Sequence, residues 1–225
     1  MSVSKRIGSA LAPKVVNAAP NVTTGFVHQA LERAIRGVGP LLGAAAIADN
    51  ALKESDNVDD AVRHLIESHV RYAGAQGFLT NLGGLVTMAV SLPANVTGLA
   101  LIQCRLVAAI AHLRGYDLED RRTRNAILAA LLGEEKLLSM IKRKRLPGTP
   151  MAIATAPVHD PHLDQVMAGE VASELVAKVA GKRLATTVGR RVPVVGGVVG
   201  MGVDGYSTWK IGRYVEREFL PRKRL

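Results

Sequence analysis

The chain has 225 residues, 48% of them hydrophobic and 21% charged, which excludes global disorder and bounds it to one sizeable core or at most two small domains. Net charge is +10 with a pI of about 10.1, and ten Lys/Arg against three Asp/Glu from Lys182 to Leu225 place +7 of it in the last 44 residues. So uneven a basic balance implies a polyanionic partner, either anionic lipid or nucleic acid. Cys104 is the single cysteine, which excludes an internal disulfide and a cysteine-built zinc site and suits a reducing cytoplasm.

Residues 1 to about 25 read as a loose arm interrupted by Pro13 and Pro20, with room for one short helix. Lys5 and Arg6 resemble the start of a signal peptide, but Pro13 and Lys14 break any apolar region behind them, so none is expected. Ser2 stands where myristoylation needs glycine, and the C-terminus carries no prenylation box. From Phe26 to Ala51 the pattern turns helical, with Val27, Leu31, Ala34 and Ile35 on one face. Gly37, Gly39 and Pro40 break it, and a second short helix is expected over Leu41 to Leu52. Asp56 to Arg71 is the clearest helix: Val58, Ala61, Val62, Leu65, Ile66, His69 and Val70 recur at helical spacing. Ser55 or Asp56 is its expected N-cap, with Asp59 and Asp60 in the first turn where the helix dipole favours them.

Ala73 to Cys104 forms the core of the longest uncharged run, bounded by Arg71 and Arg105. Phe78, Leu82, Leu85, Ala89 and Leu92 make an apolar stripe; Thr80, Gly84, Thr87 and Ser91 make a small, mildly polar one. The second suits close helix contact or the wall of a narrow cavity. Pro93 is expected to stop this helix and to open the next, Ala94 to Arg114, with Leu99, Ile102, Leu106, Ile110 and Leu113 facing the core. Gln76, Asn81, Asn95, Pro93 and the glycines make the run too polar and too broken for an ordinary membrane span. A buried hairpin is favoured over an inserted one.

Gly115 should end that helix, and Asp117 should cap one carrying Ile127, Leu128, Leu131 and Leu132. Gly133 breaks it; a short helix with Leu137, Leu138 and Ile141 ends in four basic residues, Lys142 to Arg145. Leu146 to Pro161, with four prolines, reads as a linker. Asp160 and Pro161 then fit the cap and first position of a helix running to about Ala180. Val192 to Val199 is the one strand candidate, ahead of a last helix from Tyr206 to Phe219. Taken together, the fold class is all-α, a single multi-helix bundle around a Gly/Ala-rich apolar hairpin. The domain spans 26–220, with the linker 146–161 inside it and a basic tail at 221–225.

The run YAGAQGFLTNLGGL, then SLPANVTGLALIQCRLVAAIAHLRGYDLED, and later VPVVGGVVGMGVDG before an aromatic, basic helix, resemble the EcsC protein family over roughly Val58 to Phe219. That resemblance implies an α-helical bacterial protein, cytoplasmic or at the membrane periphery. Its name comes from a member encoded beside an ABC transporter, and hydrolase labels attach to some members. Asn95 stands where some relatives carry Asp. Asn can replace an acceptor near a helix N-terminus but not a catalytic acid, which leans against catalysis there.

Other motifs weaken on inspection. Gly200, Gly202 and Gly205 match G-x-G-x-x-G, but no second strand follows as a dinucleotide fold requires. His64 and His69 are five apart rather than four, so no zincin helix is expected. Gly205 to Trp209 fails G-x-S-x-G at its last place. His159, Asp160, His162 and Asp164 form the densest set of potential metal ligands, yet Asp160 has a capping role, and no metal or other cofactor is expected. Cys104 reads as a small core residue.

Arg105, set among apolar neighbours, needs an anion: an internal acid such as Asp117, the favoured reading, or a phosphate or lipid headgroup. The leading functional expectation is binding of a lipid or other apolar ligand, or peripheral association with anionic membrane. Arg105, Asn95, Gln103, Thr87, Ser91 and His112 are the candidate ligand-binding residues. A hydrolase using His112, Asp117 and Arg105 in one cleft is the alternative. A nucleic-acid-binding or structural interaction module is the third reading. Nucleic acid fits poorly, because neither a helix-turn-helix nor basic residues interleaved with aromatics are present.

Overall fold

A computed structural model describes residues 20–82, 88–188 and 193–222, with side chains placed for 24–76, 98–175, 177 and 202–222. Among the described residues there are nine helices and one two-residue β-hairpin. The order is α1 (Pro20–Arg36), β1 (Gly37–Val38), β2 (Leu41–Leu42), α2 (Ala44–Lys53), α3 (Val58–Leu82), α4 (Met88–Leu113), α5 (Arg121–Leu131), α6 (Glu134–Lys142), α7 (Pro150–Ala154), α8 (Pro161–Val188) and α9 (Pro193–Glu218). The all-α expectation holds.

α4 is the axis. Leu106 to Ala111, LVAAIA, is apolar on every side and 0% exposed at every position, which a helix tolerates only when surrounded. Its neighbours are α1, α2, α3, α5, α8 and α9. α3 and α9 lie against each other along most of their length, the largest helix pair among the described residues. They run antiparallel: Gly205 meets Val70 and Gly74, and Gly212 meets Ile66. Gln103 and Leu106 of α4 meet Thr208 and Gly212 of α9 in the same order along both helices, so α4 and α9 run parallel.

Helix ends follow local chemistry, with corrections. α1 begins at Pro20, inside the segment expected to be a loose arm. α3 is capped by Asn57, whose Oδ1 accepts from Asp60 N at 2.9 Å, rather than by Ser55 or Asp56. Pro93 does not end a helix: α4 runs through it from Met88. It is the sixth residue of that helix, so its missing N–H leaves only one bond unmade, near the start. Gly115, at φ +84°, ends α4 as expected, with Tyr116 N returning to Ala111 O at 3.0 Å. Asp117 holds the turn by accepting from Glu119 N, and it is Asp120 that caps α5, accepting from Arg122 N at 2.8 Å.

The supposed linker carries structure. Thr149 caps α7, and Leu146, Pro150, Ile153 and Ala154 are buried. Asp160 caps α8 through His162 N at 2.9 Å, as expected, but α8 continues to Val188. The strand candidate is overturned: α9 is helical from Pro193.

Candidate functional site

The candidate residues lie along α4, so the site is built from that helix outward. Gln103 is 2% exposed. Its Nε2 donates to Ser207 Oγ at 3.1 Å and Thr208 Oγ1 at 3.2 Å, and both hydroxyls donate to Asp204 O. This ladder joins α4 to α9 and commits the Gln103 amide nitrogen to packing. The cavity beside Gln103 and Cys104, walled by Val27, Ala30, Val171 and Leu175, is ≈ 10 Å³, room for one water.

Arg105, two residues on, is half-buried. Its Nε is buried without a hydrogen-bond partner, and among the described residues no carboxylate pairs with it. The expected partner Asp117 is exposed and occupied with its own turn. Burial lowers the Arg105 pKa, opposed in part by the nearby Tyr72. His69 is 2% exposed, its Nδ1 2.8 Å from Leu65 O and its Nε2 without a partner. Burial pushes its pKa from 6.5 to about 4; Arg105 also lowers it, while the Leu65 bond opposes both. The Tyr72 ring meets His69 edge-on at 6.0 Å and is itself exposed.

His112 stands two turns along α4, roughly 10 Å from Arg105, with Nε2 3.2 Å from Asp49 Oδ1. His112 lies against Asp49 and Asp117 closes its own turn, so the residues of the hydrolase reading are directed to separate partners. Ser91 and Asn95 sit on the α4 backbone, but their side chains, and Thr87 altogether, lie outside the described residues. Cys104 is buried, which raises its thiol pKa to about 12 and leaves it inert. His159 Nε2 lies 3.3 Å from Asp164 Oδ2, while His162 points its surface to solvent; among the described residues no group of three metal ligands forms.

The sequence reading missed an aromatic pair on α9. Tyr206 and Trp209 stack at 6.0 Å with rings 19° apart, both exposed, and Lys210 lies 6.0 Å from the Tyr206 ring centre. The signal was present as Tyr-x-x-Trp-Lys on one side of a helix. The contacts of Gly205 with Val70 and of Gln103 with Ser207 set this pair level with Arg71, Tyr72 and Arg105. These residues form a collar at one level of α3, α4 and α9. Beyond it α3, α4 and α9 continue for 73–82, 88–104 and 193–203 without one charged residue. α8 passes Ala100 and Cys104 at Leu175 and runs on toward the same pole, through Lys178, Lys182 and Arg183.

These features define a helical bundle with one pole at which α3, α4 and α9 carry no charge, α8 carries basic residues, and an aromatic, basic level lies below. The chain belongs to the EcsC protein family, whose model matches residues 2–224, nearly the whole sequence and well beyond the span legible by eye. No curated protein and no solved structure matches it. Among the described residues no helix is long and apolar enough to cross a membrane.

Proposed function

We propose that this protein is a peripheral membrane protein that sets the pole formed by the charge-free ends of α3, α4 and α9 against an anionic leaflet, with the collar at headgroup level. The carrying observation is the collar itself: Tyr72, Tyr206 and Trp209 stand exposed beside Arg71, Arg105 and Lys210 where three helices lose their charges. Tyr and Trp favour sites where one end of the ring is wet and the other is not. A guanidinium without a carboxylate is ready for a phosphate. The charge-free end of α3 past Tyr72 is about 15 Å long, half the hydrocarbon thickness of a bilayer. The basic residues on the last turns of α8 favour contact with headgroups over burial in hydrocarbon. Lipid is therefore proposed at the surface, because the cavity at Gln103 has no room for an acyl chain.

The test is sedimentation with vesicles. The protein should pellet with phosphatidylglycerol-containing vesicles at low salt, and not with pure phosphatidylcholine. R71Q and R105Q should each weaken binding about fivefold, since a basic side chain near such a surface is worth about 1 kcal/mol. Failure to pellet with anionic vesicles at low salt would overturn the proposal.

A further inference from the structure

At the other end of α8, far from the collar, the N-terminal turns of α5 and α8 and the short α7 enclose a cavity of ≈ 180 Å³. A cavity of about 150 Å³ already holds benzene. Ile153, Leu163 and Val158 form much of its wall, and Val158 is 76% exposed at the rim, an apolar side chain that an occupant would cover. Opposite them stand Arg122 and Asn125. Arg122 is fixed: Nε and Nη2 donate to the Asp120 carboxylate, and Nη1 donates to Ala156 O at 2.5 Å. Asn125 is 4% exposed. Its amide nitrogen donates to Asp164 Oδ1 at 2.6 Å, while its amide oxygen accepts no hydrogen bond among the described residues. That oxygen is an open acceptor in the cavity wall, and beside it both His159 ring nitrogens are buried without a hydrogen-bond partner, so the wall calls for a polar occupant.

We infer that this cavity is a binding site for a small, neutral, ring-sized molecule bearing a hydroxyl or amide. The ring lies against Ile153 and Leu163, the donor meets the Asn125 oxygen, and the acceptor atom of the same group faces Arg122. Anions are disfavoured: Asp120 already neutralises Arg122, and Asp160 and Asp164 flank the site. His159, held beside Asp164, forms part of the wall.

Saturation-transfer NMR on the full chain tests this with phenol, benzamide, toluene and benzoate. Phenol and benzamide should receive saturation, and benzoate should not. A152F puts a ring into the space from an exposed position and should abolish both signals while leaving thermal unfolding unchanged. N125L should remove a preference for phenol over toluene of about tenfold. No transfer to phenol or benzamide, transfer unchanged in A152F, or benzoate binding as well as benzamide would each overturn the inference. Vesicle binding is unaffected by any of these outcomes.

Discussion

Arg105 and His69 stand near each other with no acid paired to either among the described residues. His69 has its ring nearly sealed from water, so its proton is weakly held, with a pKa of about 4 against 6.5 unfolded. The unfolded chain therefore binds more protons between those values, and stability falls as pH drops from 6.5 toward 4. Above pH 6.5 the imidazole is neutral in both states and the term vanishes. Over the window the loss amounts to about 3 kcal/mol. Urea unfolding measured at both ends should show it, and H69L should flatten the dependence; an equally steep fall in H69L would contradict the assignment. Gly115 carries a second residue-scale prediction. At φ +84° its missing Cβ leaves room for Arg222 O, which a Cβ would approach to 2.5 Å. That carbonyl belongs to the segment returning to α4, where Arg222 N donates to Arg114 O at 2.8 Å and the Arg222 guanidinium covers Tyr116. G115A should lower the unfolding free energy by about 1–3 kcal/mol with an unchanged denaturant slope.

Between elements, the α3–α9 contact depends on small residues. A Cβ at Gly212 would lie 2.9 Å from Ile66 and 3.3 Å from Leu106, both side chains of a packed core. G212L should therefore overpack the α3–α4–α9 junction and cost about 1–3 kcal/mol, read as a lowered melting temperature. The same elements explain what the sequence hid. Val192 to Val199 is β-branched and looks like a strand, yet the packing of a long α3 surface overrides that preference. Pro93 looks like a stop, but a helix passes it when only one bond near its start is lost. Asp117 is a good cap on paper, but its side chain closes the preceding turn and Asp120 caps α5 instead. Helical periodicity, Gly115, Gly133 and Asp160 were legible because each acts on backbone within a few residues of itself.

For the whole molecule, the uncharged run and the odd position of Arg105 were readable in one dimension. The collar was not, because Tyr72 and Trp209 are 137 positions apart in the chain and meet at one level only when α9 folds back along α3. The docking proposed for this pole is electrostatic at its rim, so raising salt should weaken vesicle binding steeply, as the Debye length shrinks from ~10 Å at 0.1 M to ~3 Å at 1 M. Salt-insensitive binding would instead indicate purely apolar contact. Trp209 is the only tryptophan, lies in the collar and is 46% exposed, so its emission reports on this one place. Titrating the protein with phosphatidylglycerol vesicles at low salt should shift that emission saturably to shorter wavelength, with no shift on phosphatidylcholine. An emission spectrum unchanged by saturating anionic vesicles would contradict the membrane assignment.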